Sequence, residues 1–132
     1  MNEILEFLTN NSTFYLATID GDQARVRPFG AVIKYEDKLY FGTNNKKPVF
    51  NQLTTNPKVE ISTSSPKGEW IRLTGNAVVD PRSEVKAAML EAVPSLKTMY
   101  SSDDAIFEVF YLTNAVAVFS SFSSTEPKTV QL

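Results

Sequence analysis

Short segments in which apolar and polar residues alternate recur along the chain, and they restrict its fold more than any other feature of the sequence. Alternation with a period of two is typical of half-buried β-strands. Turn residues such as Asp20-Gly21-Asp22 and Ser64-Ser65-Pro66-Lys67-Gly68 separate the segments. We expect strands at residues 13–19, 25–33, 39–41, 58–62, 70–79, 106–112 and 115–119, and a further edge strand at 128–132.

Three other segments space their apolar residues as helices do, beginning near Asn2, Pro48 and Pro81. They are inserted between groups of strands rather than alternating with single strands, which favours a mainly β antiparallel barrel with peripheral helices. We expect residues 25–33 and 39–41 to form a hairpin, Gly75 to mark a β-bulge, and Thr113-Asn114 to be a tight turn between the last two long strands. With 132 residues, the chain is expected to form a single domain, 1–132.

The segment after residues 39–41 has the composition of an anion-binding turn. A polar stretch ends the strand there, and Pro48 follows at a position where the first turn of a helix tolerates proline. The free N–H groups and the positive dipole end of such a helix attract anions, and we expect phosphate to be the ligand. The side chains that would complete the site are Arg27, Thr43, Lys46 and Lys47. The same spacing is equally compatible with an ordinary asparagine-capped helix whose lysines are simply solvated.

The composition excludes several classes of function. The chain contains no cysteine and no histidine, so we expect no disulfide, no thiolate nucleophile, no Ser-His triad and no metal site. No catalytic residue can be named, and any redox chemistry would depend on a bound cofactor. The formal net charge of −2 does not favour nucleic acid as a partner. Because no stretch is long and apolar enough for a membrane span and the N-terminus lacks a signal sequence, we expect a cytoplasmic protein without a membrane partner.

Several runs of residues stand in a characteristic order along the chain: Arg27-Pro28-Phe29-Gly30, the segment 39–48, Gln52-Leu53, Asn56-Pro57-Lys58-Val59, Trp70-Ile71-Arg72-Leu73-Thr74-Gly75 and the strand 107–111. Taken together, they resemble the pyridoxamine 5′-phosphate oxidase-like split-barrel proteins, and within that group the small FMN-binding members related to nitroimidazole-resistance proteins. The resemblance covers nearly the whole chain.

The resemblance implies a six-stranded antiparallel split barrel that forms a homodimer, with FMN held in clefts between the two chains. Carried over to this sequence, Arg27, Pro28 and Phe29 would lie along the flavin and its ribityl chain. The phosphate would be bound by Thr43, Asn44 and Lys47, with Lys46 beside them. Trp70 stands where the vitamin-processing oxidases place a glutamine, and it would stack on the flavin ring or wall it.

The sequence also departs from the vitamin-processing oxidases, which use arginine and histidine near the C-terminus to bind substrate. This chain has no histidine and no arginine after Arg82, so we do not expect true pyridoxamine phosphate oxidation. The leading hypothesis is an FMN-dependent oxidoreductase that takes electrons from a donor such as NAD(P)H and reduces a small electrophile. The alternative is a non-catalytic dimer that binds or carries flavin or pyridoxal phosphate, and a deazaflavin cofactor also stays open. Dimerisation is further indicated by Trp70, Phe119 and Phe122, which we expect to lie outside the core.

Overall fold

The computed structural model describes all residues from 1 to 132, and it contains eight strands and three α-helices. The strands are β1 (Phe14–Asp20), β2 (Gln23–Phe29), β3 (Val32–Tyr35), β4 (Lys38–Asn44), β5 (Lys58–Ser64), β6 (Glu69–Asp80), β7 (Phe107–Ser121) and β8 (Ser124–Gln131). The helices are α1 (Asn2–Asn10), α2 (Pro48–Thr55) and α3 (Ser83–Ala92), and a 3₁₀ helix spans Pro94–Thr98. The predicted mainly β class with peripheral helices is confirmed, with eight strands instead of six.

All strand pairs are antiparallel, and the strands follow the order β2-β1-β5-β6-β7-β4-β3, with β8 pairing on β7 outside this path. Strands β2 and β3 lie at opposite ends of the order although only Gly30 and Ala31 separate them in the chain. The two ends of the sheet must therefore curl toward each other, as a split barrel requires.

This arrangement corrects the predicted hairpin. Residues 25–33 do not form one strand, because β2 ends at Phe29 and β3 begins at Val32. Strand β2 pairs with β1, whereas β3 alone pairs with β4. The alternation of Phe29, Ala31 and Ile33 runs through this break, although Phe29 lies in the barrel core and the other two lie in a separate apolar cluster. The pattern could therefore not reveal that the hydrogen-bonding partners change.

The predicted turn at Thr113-Asn114 is also wrong, because β7 runs unbroken through it. Asn114 takes a left-handed conformation with φ of 51°, and the pairing of β7 with β6 shifts register between Thr74 and Asn76. The predicted bulge at Gly75 is therefore confirmed, and β7 bends opposite it instead of turning back.

The interior of the barrel is built around phenylalanine rings. Phe29 of β2 and Phe41 of β4 both contact Phe110 of β7, with ring centroids 6.2 Å and 5.5 Å apart. Leu53 of α2 and Leu8 of α1 are buried in the same core. The alternation in the predicted strands 13–19 and 58–62 places four apolar residues on their inner faces, and all four are buried: Phe14, Leu16, Val59 and Ile61. A second apolar cluster joins α3 to the outer face of β4 and β7. None of the helices combines the length and apolar character needed to span a membrane.

Candidate functional site

A cavity of about 270 Å³ opens where the end of β2, the end of β4 and the 3₁₀ helix meet. Its lining includes four of the residues that the sequence proposed as a site: Pro28, Phe29, Thr43 and Lys47. The bend at Gly30 and Ala31 brings β2 to this place, and both of these residues line the cavity too. The opposite wall comes from the segment 93–100, which sequence reasoning did not assign to the site.

Thr43 is the most informative residue of this lining. It lies in β4 and is only 5% exposed. Its Oγ1 is the single buried side-chain nitrogen or oxygen in the chain that has no hydrogen-bond partner. Leaving such a group unsatisfied costs about 1–3 kcal/mol. A buried hydroxyl without a partner is rare in a native fold, and a bound ligand that accepts its hydrogen bond would explain why it is retained.

The N-terminus of α2 lies beside Thr43 and carries unneutralised positive charge. Lys47 precedes the helix without a side-chain cap, Pro48 opens it, and the N–H of Val49 finds no acceptor in the chain. Neither Lys46 nor Lys47 forms an ion pair, and both are exposed. A free helix N-terminus flanked by two ammonium groups favours an anion.

Both ends of the Asn44 side-chain amide form hydrogen bonds within the protein. Its Oδ1 accepts a hydrogen bond from the N–H of Lys46 at 3.0 Å, and its Nδ2 donates to the hydroxyl of Tyr100 at 2.6 Å. Asn44 therefore shapes the turn and fixes Tyr100, while Tyr100 itself lines the cavity. No local signal in the sequence pointed to Tyr100, which lies 56 positions further along the chain.

Arg27 lies outside the cavity that Thr43 and Lys47 line. Its guanidinium donates to the carbonyl of Leu16 at 3.2 Å, to Thr18 Oγ1 at 2.8 Å and to Gln52 Oε1. Burial, with a further contribution from the nearby charge of Arg25, lowers the pKa of Arg27 from its ordinary value. No carboxylate neutralises this guanidinium, so its positive charge stays in the region between β2 and α2.

The structure does not bring Trp70 to the cavity within one chain. Trp70 lies in β6 opposite Ser64 of β5 and Ser120 of β7, and its ring is 4.8 Å from that of Phe122. Phe122 is 88% exposed at the turn between β7 and β8. Phe119, expected outside the core, instead is half-buried and packs against Phe7 at 5.6 Å.

A second polar cluster lies away from the cavity. The Tyr40 hydroxyl donates to Asp80 Oδ2 at 2.7 Å, and Arg82 binds the same carboxylate at 2.9 Å and Glu36 at 2.6 Å. Burial, together with the bond to Asp80, raises the pKa of Tyr40 to about 12. The hydrogen bonds from Arg82 lower the pKa of Asp80 to about 2. Every member has a partner in the chain, so this cluster fastens β4 to the end of β6.

The cavity is suited to binding rather than to acid–base catalysis. Its lining contains no carboxylate, and its polar side chains are Thr43, Lys47, Ser95 and Tyr100. Pro28, Phe29 and Phe107 supply apolar walls. This combination of a cationic corner and an apolar wall fits a molecule with a flat apolar part and an anionic group.

Comparison with known proteins identifies the family. The family model described as pyridoxamine 5′-phosphate oxidase matches residues 1–113. The chain belongs to this family. A NimC/NimA family protein from Clostridium acetobutylicum is 56% identical, and the match covers 100% of this chain and 92% of that chain with a TM-score of 0.96. This confirms the family predicted from the sequence, including its likeness to nitroimidazole-resistance proteins.

Solved structures that are less than 25% identical to this chain show the same fold. General Stress Protein 26 from Bacillus anthracis is 16% identical, with a TM-score of 0.79 over 99% of this chain and 97% of that chain. A pyridoxamine 5′-phosphate oxidase-related, FMN binding protein from Nostoc punctiforme is 14% identical, with a TM-score of 0.68 over 96% of this chain and 90% of that chain. None of the curated proteins compared with the chain matches it.

Proposed function

We propose that this protein binds FMN in the cavity at the end of β4 and acts as an oxidoreductase on a small electrophile. The observation that carries the proposal is the unpartnered Thr43 hydroxyl beside the free N-terminus of α2. A phosphate bound at that corner would accept from Thr43 and meet the positive end of the helix. The FMN-binding relative from Nostoc punctiforme, which has the same fold, supports flavin as the ligand.

The residues of the cavity fit the different parts of FMN. Lys47 would hold the phosphate as a point charge, and Lys46 would add positive potential from the same turn. Pro28 and Phe29 would form an apolar wall against the ribityl chain and ring. Bound FMN supplies hydride or single-electron transfer, for which NAD(P)H is the proposed donor.

A second copy of the chain is proposed to complete the site. The cavity of about 270 Å³ is smaller than the roughly 300–1,000 Å³ of typical ligand sites, and its walls come from a single chain. On the neighbouring face, β1 and β2 expose Tyr15, at 49%, and Val26, at 68%. This apolar face continues to Pro28 at the cavity, so a homodimer formed there would cover both. Trp70, which lies apart from the cavity of its own chain, would have to reach the flavin from the partner.

A carrier without catalytic activity is the second candidate. It is favoured by the absence of a carboxylate from the cavity lining, which leaves only hydroxyls and an ammonium group to handle protons. In either case the protein's own contribution is placement of the ligand and stabilisation of negative charge. Oxidation of NAD(P)H with a quinone or nitro compound as acceptor separates the two candidates, because a carrier loaded with FMN would not turn over.

Flavin binding itself is tested by titration of purified protein with FMN, followed by absorbance and fluorescence. We expect one flavin per chain. The Lys47→Ala variant should lose about 1.5–3 kcal/mol of binding free energy, because it removes a charge-assisted contact. Lys58→Ala is the matched control, since Lys58 is also exposed and unpaired but does not line the cavity. Absence of bound flavin in the parent protein refutes the proposal, and equal affinities in the two variants would place the phosphate elsewhere.

A further inference from the structure

The orientation of the Asn44 amide determines whether the Tyr100 hydroxyl acts as donor or acceptor in the hydrogen bond between them. The backbone N–H of Lys46 points at one end of the amide, 3.0 Å away, so that end must be the oxygen. The other end is therefore the NH₂ group, and it donates to Tyr100 at 2.6 Å. The phenol oxygen of Tyr100 is thus the acceptor in this bond.

The phenolic hydrogen of Tyr100 is consequently free to be donated elsewhere. A tyrosine hydroxyl can accept and donate at the same time, yet Tyr100 donates to no acceptor in the chain. The residue is partly buried and lines the cavity, as Thr43 and Lys47 do. Two residues that line the cavity, Thr43 on β4 and Tyr100 just after the 3₁₀ helix, therefore carry a hydroxyl hydrogen without an acceptor in the chain.

Packing holds this donor in place. The Tyr100 ring stacks on Phe107, with centroids 5.0 Å apart and planes inclined by 26°. The backbone N–H of Tyr100 donates to the carbonyl of Leu96 at 2.9 Å, which ties the residue to the 3₁₀ helix. A hydroxyl fixed by a ring stack and by an incoming hydrogen bond is preorganised, so little conformational freedom is lost when it binds a ligand.

We propose that the Tyr100 hydroxyl donates to a phosphate oxygen of the bound ligand and so makes the site selective for phosphomonoesters. The inference rests on the proposed function, since it assigns a further binding residue to the same cavity. Thr43, Lys47 and the N-terminus of α2 approach the phosphate from the β4 side, and Tyr100 approaches it from the opposite wall. A ligand that lacks the phosphate leaves these donors without an acceptor, which is the basis of discrimination between otherwise similar ligands.

The test compares FMN with riboflavin, which has the same ring and ribityl chain but no phosphate. In the Tyr100→Phe variant the ring stack is preserved and only the hydroxyl is lost. We expect the affinity for FMN, measured by quenching of flavin fluorescence, to fall about tenfold or more, while the affinity for riboflavin stays within about twofold. Tyr111→Phe is the matched control. Tyr111 lies in β7, its ring faces the ammonium group of Lys38, and it does not line the cavity.

The outcomes separate this inference from the proposed function. If the parent protein binds no FMN, the proposed function fails. If the parent protein binds FMN and Tyr100→Phe binds it equally well, Tyr100 is not a ligand and the inference is overturned. Equal losses for FMN and riboflavin would also overturn it, because the hydroxyl would then contact the part that both ligands share. Far-UV circular dichroism and the melting temperature of the variant verify that any loss does not come from unfolding.

Discussion

Replacement of Thr43 by valine should stabilise the free protein and weaken its ligand binding at the same time. The Thr43 hydroxyl is buried without a partner, and such a group costs about 1–3 kcal/mol. Valine has nearly the same shape and is well suited to a strand such as β4. We therefore expect the free energy of unfolding without ligand to rise by about 1 kcal/mol, which for a chain of this size corresponds to about 3 °C in melting temperature.

Addition of FMN should cancel the higher stability of the Thr43→Val variant. At a concentration of about 100 times the dissociation constant, a ligand stabilises a protein by about 2.7 kcal/mol. If loss of the Thr43 contact weakens binding about tenfold, the same FMN concentration stabilises the variant by only about 1.4 kcal/mol. The two proteins should then unfold at nearly the same temperature, although the variant is more stable without ligand. Thermal unfolding followed by circular dichroism, with and without FMN, measures both quantities.

Thr63 provides the matched control for this experiment. It is also buried, in β5, but its hydroxyl donates to the carbonyls of Asn11 at 2.7 Å and Thr13 at 3.1 Å. Thr63→Val should therefore destabilise the protein by about 1–2 kcal/mol, with or without FMN. Destabilisation of Thr43→Val to the same extent would refute the reasoning, since it would mean that the Thr43 hydroxyl is already satisfied in the free protein.

Two further predictions concern stability away from the cavity. The carboxylate of Asp80 has its pKa lowered to about 2 by Arg82, below the value of about 3.9 expected in the unfolded chain, so its contribution to stability is complete above about pH 4 and is lost as the pH falls toward 2. Urea unfolding of the parent protein should show this loss between pH 4 and pH 2, and Asp80→Asn should show a flatter profile over the same range. Gly75→Ala should destabilise the protein by about 1–3 kcal/mol, because the added Cβ would lie 3.2 Å from Leu112 Cβ and 3.3 Å from the carbonyl oxygen of Thr113. Chemical denaturation measures this loss, and an unchanged midpoint would show that the bulge relaxes freely.

Sequence reasoning identified most elements of this fold because their signals are local. The helix at Pro48 and the bulge at Gly75 depend on the chemistry of a few neighbouring residues, and both occur where the sequence placed them. The error at residues 25–33 has a different origin. Apolar residues alternate without a break from Phe29 to Ile33, whereas the pairing partners of β2 and β3, and the apolar cluster that each residue joins, depend on the rest of the chain.

In the candidate site, too, the sequence predicted the local features but not the contacts between distant segments. The turn that contains Thr43 and Lys47 was found from its residues, and the structure places both on one cavity. The hydrogen bonds of Arg27 to Thr18 and Gln52 could not be predicted, because they depend on how α2 packs on β1 and β2. Tyr100 was missed for the same reason, since it meets Asn44 only after the chain has completed α3 and the 3₁₀ helix.

The sequence by itself determined the class of fold, the inward-facing residues of the strands and the polar junction between β4 and α2. Alternation of apolar residues and turn chemistry act over a few positions, so they can be read without knowledge of the rest of the chain. Only the tertiary structure decided which strands are neighbours and which side chains face Thr43 across the cavity. Those contacts join residues that are far apart in sequence, and they are fixed by the burial of one shared core rather than by any local preference.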